Sequence, residues 1–135
     1  MCSSTVGTLL RNQARGFVYS TAPSAPTVAA VLAAVDVLDG APELVDMLRA
    51  NVRECAMWLG VRGQVSPIIP VPVGDEVRAV EMSGGLRNRG FFVPAIRWPT
   101  VARGAAILRV TVTAEHTAHQ IQALGRALQE LTSPR

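Results

Sequence analysis

The stretch Ala106-Ile107-Leu108-Arg109-Val110-Thr111-Val112 sets Leu108, Val110 and Val112 on one side of a two-residue period and Arg109 and Thr111 on the other. That alternation predicts a strand with one face on a core and one facing water. Just downstream, Thr117 and Gln120 have the spacing of a capping box, and Ile121, Leu124, Leu128 and Leu131 recur at helical intervals. A helix with one buried stripe is expected there. Upstream, Phe91 to Ile96 reads as a second strand and Val65 to Val73 as a third. The latter is threaded by Pro67, Pro70 and Pro72, each lacking a backbone donor, which suits an edge position. Between these two, Gly74-Asp75 opens a helix near Asp75 to Asn88 that carries Val77, Val80 and Leu86. Gly84 and Gly85 in its interior cost about 1 kcal/mol each relative to alanine. Three late strands separated and followed by helices predict an α/β fold of the two-layer α+β kind. Its sheet is short, partly antiparallel and covered by helices.

Towards the amino terminus, residues up to Gln13 read as a short helix, and Gly16 to Thr21 as a strand leading to a turn at Pro23. Pro26 then starts a helix with Val28, Leu32, Val35 and Leu38, ended by Gly40. Pro42 starts another, with Leu44, Leu48, Val52, Cys55 and Leu59, ended by Gly60. The longest apolar stretch, Ala25 to Leu38, is interrupted by Asp36 and falls short of the roughly 20 residues a membrane span needs. It is expected to be a buried helix of a soluble protein. Residues 1–40 fit the later sheet unit poorly, since a lone strand and helix leave apolar surface without a partner. They are expected to belong to a neighbouring domain, with residues 41–135 forming the α/β domain proper.

Composition narrows the chemistry. All thirteen basic side chains are arginine, and the 135 residues contain no lysine. A side-chain Schiff base needs an ε-amine, and a guanidinium stays protonated and is a poor nucleophile. The α-amine of Met1 is the one primary amine in the sequence. Cys2 and Cys55 lie far apart without paired-ligand spacing, which predicts free thiols and neither a zinc site nor a disulfide framework. The first residues lack a basic patch followed by an apolar run, so a cytoplasmic location is expected. A basic balance without a recognition motif or an aromatic platform argues against a nucleic-acid partner.

Between Glu81 and Glu115 no acidic residue occurs, yet Arg87, Arg89, Arg97, Arg103 and Arg109 all do. An anion is the natural partner of that segment. Its sharpest part is Ile96-Arg97-Trp98-Pro99-Thr100, where an arginine ends a strand beside a proline turn and a hydroxyl follows. A guanidinium grips a carboxylate bidentately, and Thr100 can add a hydrogen bond to the same group. Ser20 and Thr21 stand at a turn, and hydroxyls and backbone amides at a turn can also hold a phosphate. His116 and His119 flank a helix start without a third ligand at metal spacing, and are expected to face solvent.

Several segments together resemble one enzyme family. Cys2-Ser3-Ser4-Thr5, Phe17-Val18-Tyr19-Ser20-Thr21-Ala22, Ser66-Pro67-Ile68-Ile69-Pro70-Val71 and Gly74-Asp75-Glu76 are similar to successive landmarks of the 8-amino-7-oxononanoate synthases. So are Gly90 to Val101, Arg103-Gly104 and Leu108 to Ala114. These enzymes are α-oxoamine synthases of the aspartate-aminotransferase fold (fold type I). They depend on pyridoxal phosphate and condense an amino acid with an acyl-CoA in biotin synthesis. The resemblance implies that residues 1–40 belong to the large cofactor domain, as a strand and a linking helix, and residues 41–135 to the small carboxyl-terminal domain. By the same resemblance, Arg97 binds the substrate carboxylate and Thr100 contacts substrate. Ser20 and Thr21 approach the cofactor phosphate across a dimer. Trp98 and Ala102 depart from the family pattern, which usually has prolines there. The family's cofactor lysine lies upstream of the point matching Cys2, so pyridoxal phosphate would not be held covalently by this chain. The expectation is a truncated or split synthase, incomplete alone, working as a homo- or hetero-oligomer on amino-acid and acyl-CoA substrates. It has no metal, membrane or nucleic-acid partner. The alternative is a non-catalytic binding or regulatory module that pairs with a full-length homologue or holds a carboxylate metabolite.

Overall fold

The structure is a computed structural model that describes residues 2–132. It divides into two units, Met1–Gly40 and Ala41–Arg135.

The first unit holds three helices, α1 (Ser4–Gln13), α2 (Arg15–Val18) and α3 (Ala25–Gly40). Ser3 caps α1, its hydroxyl accepting from Val6 N–H at 3.4 Å. The strand expected over Gly16 to Thr21 is absent, and α2 occupies the start of that stretch. An extended segment needs a neighbouring strand for its backbone groups, and the described residues of this unit offer none. The chain satisfies them locally instead, through Val18 N–H to Ala14 C=O at 2.9 Å and Tyr19 N–H to Arg15 C=O at 3.1 Å. The helix α3 forms as its spacing predicts, but its expected burial does not occur: no residue of α3 is buried. Its apolar residues surround the axis, and Val31, Leu32 and Val37 are each more than half exposed. No helix among the described residues is long and apolar enough to cross a membrane.

The second unit follows the order α4 (Glu43–Trp58), β1 (Ile68–Gly74), α5 (Glu76–Arg87), β2 (Ala95–Ile96), β3 (Ala106–Thr111) and α6 (Ala118–Thr132). The sheet has three strands in the order β1-β3-β2, and both pairings are antiparallel. The alternating strand thus lies at the centre and the proline-rich one at an edge. Of the strand expected over Phe91 to Ile96, only Ala95 and Ile96 pair.

The register explains how β1 tolerates its prolines. Val112 N–H donates to Pro67 C=O at 2.9 Å, which fixes the phase of the ladder. Val110 and Leu108 then face Ile69 and Val71 as hydrogen-bonded pairs, while Pro70 and Pro72 oppose Arg109 and Ile107 at the intervening positions. The N–H groups those prolines lack would have pointed away from β3. No ladder bond is lost, and the sheet edge has fewer donors to offer a second chain.

One sheet face carries the core. Ile69 and Leu108 have no exposed surface, and Val110 and Val112 continue that row. Against it pack Val52 and Cys55 of α4, Met82 and Leu86 of α5, and Ile121, Leu124 and Leu128 of α6. The approach of α4 to α6 depends on Gly125, where a Cβ would lie 3.0 Å from Trp58 Cβ. Gly85 serves α5 and α6 in the same way, with Leu131 Cδ2 3.0 Å from the place a Cβ would take. The helix breaker in the sequence is a close-packing site in the fold. The capping box also forms, with Thr117 N–H donating to Gln120 Oε1 at 2.9 Å and Gln120 N–H to Thr117 Oγ1 at 3.3 Å.

Candidate carboxylate-binding loop

Arg97 is the first residue after β2. Ile96 is held opposite Ile107, and the chain then turns: Thr100 N–H donates to Arg97 C=O at 3.0 Å, and the Trp98–Pro99 peptide bond is cis. The turn places Arg97 and Thr100 at its two ends, both exposed. Beyond it, Arg103 lays its guanidinium over the Trp98 ring, 4.6 Å from the centroid, a cation–π contact that braces the turn from outside. Gly104 N–H donates to Glu76 Oε1 at 2.9 Å, which ties the far end of the loop to the first turn of α5. The loop is therefore anchored by the sheet at Ile96 and by α5 at Gly104.

The five arginines of the acid-free segment do not converge. Arg89 pairs with Glu130 at 3.6 Å, and Arg87 sits over the Phe92 ring at 5.2 Å. Both lie near the carboxyl end of α5, about 16 Å of helix rise from Glu76, which holds the far end of the loop. Arg109 projects from the outer, exposed face of β3, opposite Pro70. Among the described residues neither Arg97 nor Arg109 has a carboxylate partner. Of the five, Arg97 is the one that combines a free guanidinium with an anchored turn and a nearby hydroxyl.

Ser20 and Thr21 lie in the first unit and are exposed. Ser20 spends its N–H (3.3 Å) and its hydroxyl (2.8 Å) on the carbonyl of Phe17. Of the pair, Thr21 keeps its donors. Of the histidines, His119 is exposed, but His116 is half-buried, and its Nδ1 accepts from Thr113 N–H at 2.9 Å. No group of three metal-ligating side chains occurs among the described residues. Two features that shape this region, the Glu76–Gly104 bond and the turn-closing role of His116, have no signature in the residue order. The first joins residues 28 positions apart, and the second is a local contact three residues long that follows no helix or strand period.

Cys55 is 1 % exposed, and desolvation, followed by the charge of neighbouring Glu54, pushes its thiol up from 9.0 to about 11.

A small antiparallel sheet backed by helices, with an arginine turn leaving its short edge strand, defines a class that comparison with known proteins identifies. The pattern of the family described as aminotransferase class I and II matches residues 1–128, and the chain belongs to that family. It is similar to the 8-amino-7-oxononanoate synthase of Methylorubrum populi, 42% identical over 97% of this chain and 34% of that enzyme. It is also similar to the biotin biosynthesis bifunctional protein BioWF of Corynebacterium kroppenstedtii, 45% identical over 96% of this chain and 19% of that protein. Among solved structures it resembles a serine palmitoyltransferase from S. paucimobilis with a bound PLP–myriocin aldimine. That match has a TM-score of 0.83 and 26% identity, covering 92% of this chain and 33% of that one. The family is pyridoxal-phosphate-dependent, and the fold is that of its fold-type-I members. The chain spans from about a fifth to a third of the length of these relatives.

Proposed function

We propose that this chain supplies the substrate-carboxylate arm of an 8-amino-7-oxononanoate synthase-like C-acyltransferase, and that it requires a lysine-bearing polypeptide to act. The observation that carries this reading is Arg97, unpaired and exposed on a turn anchored at both ends. A guanidinium in that setting takes both oxygens of an amino-acid carboxylate, and Thr100 Oγ1 donates a further hydrogen bond. Holding the carboxylate at a fixed place orients the bond to the α-carbon, which is the contribution of a positioning clamp. The Trp98–Arg103 stack braces one flank of the turn.

Pyridoxal phosphate, when bound, supplies the electron sink that stabilises negative charge on the substrate's α-carbon. The residues of this chain do not hold that group alone. There is no lysine to carry it covalently, and Ser20 has its donors engaged by Phe17. Thr21 is left as a phosphate contact offered to a partner subunit. The working assembly in this reading is an oligomer in the cytoplasm.

The test is reconstitution. The full chain is coexpressed with a Methylorubrum populi enzyme cut back to the part this chain does not match. Release of free thiol from an acyl-CoA in the presence of an amino acid and pyridoxal phosphate is then followed. Turnover by the pair and by neither component alone supports the reading, provided Arg97→Ala abolishes it. Turnover by this chain alone, or a pair indifferent to Arg97→Ala, overturns it.

A further inference from the structure

The pairing of β2 with β3 ends one step early. The register sets Ala95 opposite Leu108 and Ile96 opposite Ile107, and Arg109 N–H donates to Pro94 C=O at 3.0 Å. The next pair in that phase is Thr111 with Phe92, and no hydrogen bond joins them. Gly90, at φ 86°, turns the chain aside, and Phe91 N–H returns to Leu86 C=O at 3.0 Å. Because alternate residues of β3 serve alternate neighbours, Thr111 directs its N–H and C=O away from β1 and into the gap.

The gap is a cavity of about 360 Å³. Its floor is apolar, made by Val93, Val110, Val112, Ile121, Leu124 and the thiol of Cys55, and its rim carries His116 and Gln120. His116 Nδ1 accepts from Thr113 N–H, which puts the ring proton on Nε2. Gln120 Oε1 is engaged by Thr117 N–H, which leaves its amide nitrogen as a donor. None of the lining residues is acidic or an arginine, so nothing there neutralises an ion. The volume lies at the small end of the range for ligand pockets.

We propose that this cavity binds one uncharged, extended acylamino unit with an apolar side chain, whose own N–H and C=O complete the unmade pair on Thr111. A single backbone residue presents a donor and an acceptor at the spacing Thr111 offers, and its side chain enters the apolar floor. An interior residue of an extended peptide and a free acylated amino-acid amide share this chemistry.

The test uses the full chain, labelled with nitrogen-15, and N-acetyl-leucine methylamide at millimolar concentration. Saturable movement of the Thr111 backbone resonance and of the Gln120 side-chain amide is expected. The analogue with an ester oxygen in place of the leucine N–H is expected to bind about tenfold more weakly, the worth of one hydrogen bond. Thr111→Pro removes the donor without touching the β1 ladder and abolishes binding, whereas Thr111→Val leaves it unchanged. Should Thr111→Pro fail to fold, the comparison of amide and ester on the unaltered chain decides. A Thr111 resonance that does not move, or equal binding of the ester, overturns the proposal. An acetylated, amidated tetrapeptide with an interior leucine separates the sources: tighter binding than the single unit assigns the site to a peptide segment, and weaker binding to the free acylated amino-acid amide.

Discussion

Asn51 Nδ2 lies 2.7 Å from the carbonyl oxygen of His116, and the same nitrogen is 3.0 Å from the carbonyl of Thr113 and 3.2 Å from that of Ala114. Two amide hydrogens thus serve three acceptors that no helix or strand satisfies. By this device α4 holds the chain between the end of β3 and the start of α6. That junction sets the rim of the cavity beside Thr111 and the height at which α6 crosses the sheet.

Replacing Asn51 by Leu is therefore expected to destabilise the protein by about 1–3 kcal/mol, the cost of leaving acceptors unmatched. Asn51→Asp is expected to cost more, because it sets a carboxylate against carbonyl oxygens. Urea unfolding midpoints of the two variants check both the size and the order.

The helical glycines separate by sign. At Gly84 nothing lies within 4 Å of a new Cβ, so Gly84→Ala is expected to stabilise by about 0.5–1 kcal/mol through helix propensity. At Gly125 the Cβ would meet the Trp58 side chain at 3.0 Å, and Gly125→Ala is expected to cost about 1–3 kcal/mol as overpacking. Thermal midpoints that move in the same direction for both would refute the packing argument.

Cys55 imposes a pH dependence at the alkaline end. Its folded-state pKa, raised to about 11, lies above the ordinary value of 9.0, so the folded protein keeps a proton that the unfolded chain releases. Unfolding becomes easier as pH climbs from about 9 towards 11, by roughly 2–3 kcal/mol at most. Cys55→Ala flattens that slope. Denaturant titrations across this range, compared between the two proteins, measure it, and at pH 8 a thiol reagent is expected to label Cys2 well before Cys55.

The clamp makes a kinetic prediction in the reconstituted assembly. Arg97→Lys keeps the charge and loses the bidentate fork, and it is expected to raise the amino-acid KM by about tenfold or more. The thermal midpoint should stay unchanged, because Arg97 is exposed and makes no side-chain bond within the described residues. A fall in the midpoint that matches the loss of activity would mark Arg97 as structural instead.

Much of the second unit was legible in the residues themselves. The alternation around Leu108 placed β3, the prolines of β1 predicted an edge, and Thr117 with Gln120 predicted the start of α6. Where tertiary context mattered, local reading failed. Phe17 to Tyr19 carry strand-forming side chains, yet without a neighbouring strand the segment closes helical bonds. The apolar wrap of α3 reads as burial, but the side chains find no cover. The arginine excess reads as one patch, but Arg87 stacks on Phe92 and Arg89 pairs with Glu130 of α6.

The sequence by itself determined which charged groups these 135 residues bring: thirteen guanidinium groups and no lysine amine. It also determined the periodic elements, because helix and strand periods are local properties of side-chain order. Only the tertiary structure decided that Asn51 binds the loop before α6, that Glu76 holds Gly104, and that Thr111 faces a gap where β2 turns away. Each of those depends on bringing distant residues within about 3 Å, a constraint set by packing and chain path and not by the order of neighbours.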